Sequence, residues 1–270
     1  DVDSFCTDDT LPAADVKFVD ADRCILYAGV TIRGVKVAES PQWLKDALTT
    51  IGQRPINNVV DVTNYVLHAF GHPLHAFDLA KLSGDSIEVQ TVAPGTEFVT
   101  LDGVTRKLDG ADLMICSGGV PRCIAGVFGG LDSGVTETTT DLFLESACFN
   151  ATSVRKTARR HGLNTDASFR YERGVDPNGC IYAMKFAALL IQHIAGGICA
   201  GPVVDIYPRV AEPFKVELSH RGITELLGQE IPADTVRSIL ASLEIEIASE
   251  DSDGRMDLRV PTYRVDVQRP

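Results

Sequence analysis

Residues 54–78 constrain the fold more than any other stretch of this chain. Val59, Val62, Tyr65, Val66 and Ala69 recur at helical spacing, so one face from near Asn58 to Ala69 belongs in a core. Gly71 follows, where a helix can end. The same stretch holds Asn57, Asn58, Thr63, Asn64, His72 and His75. Buried polar groups cost free energy unless something satisfies them. This many in one apolar segment predict a site.

At 270 residues the chain can hold one large domain or two moderate ones. No run approaches the roughly 18 apolar residues that a membrane helix needs. The seven Cys are scattered and lack a Cys-x-x-Cys pair. That pattern predicts free thiols in a reducing, cytoplasmic setting rather than a disulfide framework or a metal site. The chain begins without Met or a signal-peptide pattern and stops after a strand-like run, which reads as a fragment of a longer protein. A net charge of −12 argues against general nucleic-acid binding. Residues 151–175 differ, with six cations against two anions. Such a local basic face can steer one phosphate-bearing partner, or it can be a solvated helix face.

The pattern predicts an α+β fold, with mixed sheets packed against helices over residues 1–205 and a small, incomplete α+β domain over 206–270. Residues 1–22 are acidic and read as poorly ordered at the start. Cys24–Ile32 reads as a strand. Ser40 as N-cap and Pro41 at the first helical position open a helix with Trp43, Leu44, Ala47 and Leu48 on one face. From Ser86 to Phe149 the signals are strands, with Asp102-Gly103 as a hairpin turn. Asn150 caps a helix over Ala151–His161, and Ile181–Ala195 is apolar enough to be a buried helix. Pro202, Pro208 and Pro213 mark a linker. Beyond it come strands at Phe214–Leu218, Glu244–Ala248 and Met256–Val260, and helices near Ser219–Leu227 and Ala233–Leu243.

Glu145 is the sharpest single residue. Strand alternation places it on one face with Phe143, Ala147 and Phe149. A carboxylate there needs either a cation such as Arg155 or Arg170, or a ligand that donates to it. His75 sits between Leu74 and Ala76, where a satisfied core histidine is the commoner outcome. The Cys contexts are apolar, and there is no nucleophile elbow, zinc motif or phosphate loop.

Six ordered segments then point to one family. They are Asn57–Tyr65, Pro73–Asp78, Ala125–Gly130, Leu144–Phe149, Arg155–Leu163 and Thr165–Pro177. Together they resemble the β chain of bacterial phenylalanyl-tRNA synthetase over residues 25–205, and residues 206–270 resemble the small domain that follows. The resemblance implies the editing module, which hydrolyses phenylalanine tRNA wrongly charged with tyrosine. It implies that Glu145 accepts from the tyrosine hydroxyl and that Gly126 with Ala125 walls the pocket. Thr165 and Ala167 are implied as further pocket positions. His75, Thr63 and Asn64 are implied to lie by the ester and the terminal adenosine. Arg155, Lys156, Arg159 and Arg160 are the candidate tRNA-facing cations. The implied reaction is hydrolysis by a positioned water, with no metal or cofactor in this fragment. ATP and Mg are expected only for the whole synthetase, a heterotetramer of two α and two β chains whose aminoacylation site lies on the α chain. No membrane is implied.

Two rival readings stand beside this one. The module can dock tRNA without catalysis. Alternatively, His75 and Glu145 can form an unrelated hydrolase dyad, which requires the two side chains to meet within hydrogen-bond reach.

Overall fold

The computed structural model describes residues 2–269. The chain divides into two compact units, 1–209 and 210–270.

The first unit is built on β1 (Asp15–Val19), β2 (Cys24–Arg33), α1 (Gln42–Thr50), α2 (Asn58–Phe70), β3 (Leu74–Asp78) and β4 (Ser86–Thr91). A short hairpin follows, β5 (Glu97–Val99) and β6 (Thr105–Lys107), then β7 (Leu113–Ser117), β8 (Val120–Ile124), β9 (Phe128–Gly129) and β10 (Asp141–Phe149). α3 (Ala151–His161), α4 (Asp166–Tyr171), α5 (Cys180–Ala195) and β11 (Ile198–Ile206) complete it. The central sheet is antiparallel in the order β11-β2-β10-β3. A second sheet runs β1-β4-β7-β8-β9.

The central sheet is buried on both faces, which is why β2 and β10 read as nearly unbroken apolar runs. Leu142, Leu144 and Cys148 of β10 share one core with Leu44 and Leu48 of α1, Val59, Val62 and Val66 of α2, and Met184 and Ile191 of α5. Phe143, Ala147 and Phe149 share the other core with Ile87, Met114, Ile115 and Ile124 of the second sheet. Each large side chain so buried contributes about 1.5–3 kcal/mol.

The helical segment forms as its spacing predicts, but three of its polar residues are structural. Asn57 caps α2, accepting from the amides of Val59 and Val60. Asn58 is buried; it accepts from Ala38 N at 3.0 Å and donates to Lys36 O at 3.0 Å. His72 is buried against Ser146 Oγ at 3.0 Å. Gly71 closes the helix in the left-handed region.

Other expectations need correction. Residues 15–19 form β1, parallel to β4 with a shift in register, rather than a disordered start. Ser40 does not cap α1; its hydroxyl donates to Asp61 at 2.5 Å, and Pro41 occupies the cap position without a side-chain bond. Trp43 is 45% exposed, resting edge-on against Tyr65. Pro202 lies inside β11 rather than in a linker. It has no N–H to give, and the pairing with β2 breaks between Ala200 and Val204. Beyond α3 the chain forms a further short helix, α4.

The second unit has β12 (Phe214–Ser219), α6 (His220–Leu227), α7 (Ala233–Ser242), β13 (Glu246–Glu250) and β14 (Arg255–Val260), with sheet order β12-β14-β13. Val216, Val236, Leu240, Met256 and Leu258 form its core.

Asn58→Ala should lower the unfolding free energy by about 2 kcal/mol, because the buried Asn58 side chain gives up its bonds to Ala38 N and Lys36 O. Urea denaturation should show a lower midpoint with an unchanged slope. A wild-type midpoint would mean that Asn58 does not carry this link.

Candidate active site

A cavity of about 240 Å³ opens beside the central sheet. Its lining comes from distant parts of the chain: Asn64 of α2, His75 of β3, Gly126, Glu145 of β10, and Thr165 and Ala167 at the start of α4. Phe149, Tyr171 and Phe128 supply aromatic walls. This volume falls below the roughly 300–1,000 Å³ of drug-sized sites and suits a single amino-acid side chain.

Glu145 is 5% exposed and lies opposite His75 on one neighbouring strand and Gly29 on the other. The expected arginine partners are absent. Arg170 pairs with Asp166 at 3.5 Å, and Arg155 is exposed on α3. Instead Tyr27, fully buried on β2, donates its hydroxyl to Glu145 Oε2 at 2.7 Å. Among the described residues no hydrogen bond reaches Oε1. Burial pushes the Glu145 carboxyl up to about 7, and the Tyr27 bond partly offsets that push. A neutral phenol steadies the charge without cancelling it.

His75 faces the cavity from β3. Its Nε2 is buried and, among the described residues, without a partner. Its ring meets Phe77 edge-on at 4.4 Å. Burial lowers its pKa to about 4, so the ring is neutral at pH 7. Although His75 and Glu145 are cross-strand neighbours, no hydrogen bond between them is present among the described residues. That geometry does not make the dyad that the rival hydrolase requires.

Gly126 sits in a tight turn closed by the bond from Val127 N to Ile124 O at 2.9 Å. Its φ of +68° is left-handed, and an added Cβ would lie 2.9 Å from the rings of both Phe149 and Tyr171. Only glycine satisfies both demands. Thr165 joins this turn to α4: its hydroxyl donates to Val127 O at 2.8 Å and accepts from Ser168 N at 3.0 Å in a capping box. Ala167, in the first turn, keeps the slot open because its side chain is small.

Three sequence-predicted residues are placed elsewhere. Ala125 is buried in the core behind the turn, its amide bonded to Leu113 O at 2.9 Å. Thr63 adjoins Asn64 but is buried on α2, where its hydroxyl donates to Val60 O at 2.7 Å. Arg160 is engaged by Asp109 at 3.7 Å and by the fully buried Asp112, which also accepts from Thr157 at 2.9 Å and bonds His161 at 2.7 Å. Arg155, Lys156 and Arg159 are exposed on α3.

Sequence reasoning missed Tyr27, Tyr171 and Gly129. Gly129 lines the slot where a Cβ would crowd Leu101 at 3.0 Å and His75 at 3.3 Å. A tyrosine hydroxyl inside the apolar Cys24–Ile32 run was a usable signal. Its partner was not legible without the strand register.

These features define a domain class. The B3/4 domain family matches residues 23–196, and the tRNA synthetase B5 domain matches residues 216–270. The chain belongs to the B3/4 domain family, with a B5 domain following. Its relatives include phenylalanine–tRNA ligase β subunits. That of Bacteroides thetaiotaomicron is 55% identical over 268 residues, 99% of this chain and 33% of the relative. That of Porphyromonas gingivalis is 59% identical over 256 residues, 94% of this chain and 31% of the relative. The chain thus spans about a third of the length of these curated relatives. A solved N-terminal fragment of the phenylalanyl-tRNA synthetase β-subunit from Pyrococcus horikoshii is 14% identical, with a TM-score of 0.41 over 95% of this chain and 73% of that one. No described helix is long and apolar enough to cross a membrane. Among the described residues no three His, Cys, Asp or Glu side chains are grouped as metal ligands are.

The Glu145 proton links to stability. Between about pH 4.5 and 7 the folded state keeps a proton that the unfolded chain has released, so this group withdraws stability as pH rises. The loss reaches about 3 kcal/mol above pH 7. His72 and His75 act in the opposite sense between about pH 4 and 6.5, and their effect is common to wild type and variant. Glu145→Gln should therefore gain stability relative to wild type between pH 5 and pH 8, read by denaturation at both values. A pH-independent difference would contradict the burial argument.

Proposed function

We propose that this chain is the editing module of a phenylalanine–tRNA ligase β chain, hydrolysing phenylalanine tRNA mischarged with tyrosine. The observation that carries this reading is Glu145. It is a buried carboxylate that, among the described residues, has no cation partner and one oxygen without a hydrogen bond, at the edge of a slot of side-chain size. Rejecting a substrate that merely adds a hydroxyl is hard for an apolar synthetic site, giving only about 100-fold discrimination. A second pocket that demands the hydroxyl sorts in the other direction. Tyrosine satisfies Oε1, whereas phenylalanine leaves it unpaired at a cost of about 1–3 kcal/mol or more.

In the reaction a water attacks the ester carbonyl carbon and the bond to the ribose oxygen breaks, releasing tyrosine and uncharged tRNA. Gly126, Phe149 and Tyr171 wall the ring. His75 and Asn64 lie toward the ester and the terminal adenosine. Because His75 is neutral, its Nε2 can accept from the water or donate to the ester, according to tautomer, without adding charge. A free ribose hydroxyl can assist. Arg155, Lys156 and Arg159 are offered to tRNA phosphates. The α chain would carry aminoacylation, with ATP and Mg bound there, in a cytoplasmic synthetase of two α and two β chains.

In the assembled α/β ligase, Glu145→Ala should slow deacylation of the tyrosyl ester at least tenfold at pH 7.5 while binding tRNA normally. Unchanged clearance would end the reader role, and a wild-type enzyme that leaves mischarged tRNA intact would favour a docking module. Ala167→Trp should fill the slot and reduce clearance of the tyrosyl ester to near background. Full activity in that variant would place the ring elsewhere.

A further inference from the structure

We propose that Tyr27 is a positioning residue of this pocket: its hydroxyl pins Oε2 of Glu145 and leaves Oε1 to receive the para-hydroxyl of a bound tyrosyl group. The inference deepens the editing reading and rests on it.

The geometry points to this role in three ways. First, Tyr27 and Glu145 face the same core from adjacent strands, Tyr27 pairing with Ala147 while Glu145 pairs with Gly29. Gly29 has no side chain, and a Cβ there would collide with the ring of Phe143 and approach Leu144 O at 2.9 Å. On β2 the phenol of Tyr27 is therefore the donor within reach of the carboxylate. Second, the bond is short at 2.7 Å and both groups are buried. A carboxylate held by one fixed donor loses its freedom to rotate, so the second oxygen keeps one direction. Third, the donor is neutral. A cation in this place would hold the carboxylate ionised but would compete with the substrate hydroxyl for its lone pairs.

The other titratable groups around Glu145 are Cys24 of β2, His75 of β3, Cys123 of β8 and Tyr171 of α4. Burial keeps the thiols and phenols protonated and His75 neutral near pH 7. Among these neighbouring groups Glu145 is thus the one whose charge changes there, and Tyr27 favours its ionised form. A phenol that served only to fill the core would leave both the charge and the aim of Glu145 unaffected.

The test uses the assembled ligase with Tyr27→Phe, compared with wild type and Glu145→Gln. Hydrolysis of tyrosyl and phenylalanyl esters is followed from pH 6 to 9. In Tyr27→Phe the ratio of kcat/KM for the tyrosyl over the phenylalanyl ester should fall about tenfold at pH 7, the scale of one hydrogen bond to a charged group. It should recover toward pH 9, with the midpoint displaced upward by about one unit. An unchanged ratio and profile, or an equal fall for both esters, overturns the proposal. Site-specific 3-fluorotyrosine at position 27 keeps the shape and donates more strongly, so it should move the midpoint downward. An unmoved midpoint in that variant also overturns the proposal, whether or not Tyr27→Phe folds. If the wild-type ligase leaves the tyrosyl ester intact, the editing reading fails and takes this proposal with it; if Glu145→Gln clears that ester at the wild-type rate, the reader role of Glu145 falls, and the role of Tyr27 with it. If Glu145→Gln loses clearance while Tyr27→Phe keeps the wild-type ratio and profile, only the role of Tyr27 falls.

Discussion

Everything in the first unit depends on a central sheet that is dry on both faces. β10 sends Leu142, Leu144 and Cys148 to one core and Phe143, Ala147 and Phe149 to the other. A strand in that position can tolerate an ionisable group only where something answers its polarity. Glu145 is answered in part by the Tyr27 hydroxyl and otherwise borders the cavity. Its carboxyl, pushed up to about 7 by burial, is the cost of holding a charge-bearing group at that depth. The same burial that makes the residue awkward for stability makes it selective for a hydroxyl donor.

The slot around it is shaped by backbone rather than by long side chains. The left-handed turn at Gly126 lets Phe149 and Tyr171 pack closely beneath it. Thr165 uses one hydroxyl both to cap α4 and to hold the Gly126 turn through Val127 O. Tyr171, at the other end of α4, donates to Ala147 O at 2.9 Å and so ties the helix back to β10. The wall of the cavity is in this way fastened to the strand that bears the carboxylate. Elsewhere the polar residues are structural. Asp112 gathers Thr157, Arg160 and His161 of α3, and that clamp explains why one cation of the basic helix is not free for a partner.

Much of the architecture was legible from local pattern. The apolar spacing of α2, the Asp102-Gly103 hairpin, the Asn150 cap and the buried α5 follow from periodicity and turn chemistry, which act within a few residues. Local rules misled where a side chain had a distant claimant. Ser40 looked like a helix cap, but Asp61 takes its hydroxyl. Pro202 looked like linker punctuation, yet the sheet accepts it at a break in pairing. Asn58 and His72 looked like site residues, but their partners lie in β-strand flanks and in Ser146.

The sequence by itself determined which segments are apolar on which period, and hence that Glu145 would stand among core residues without an obvious partner. Its motifs also carried the family, since six ordered segments are more specific than any one. What only the tertiary structure decided is the company Glu145 keeps. Tyr27 lies 118 residues away in the chain, His75 and Gly29 reach it through strand register, and α4 closes the far wall. Register is a property of paired strands, set by packing across the whole sheet, and a one-residue slip would turn Glu145 to the opposite face. No local pattern in the chain encodes that choice.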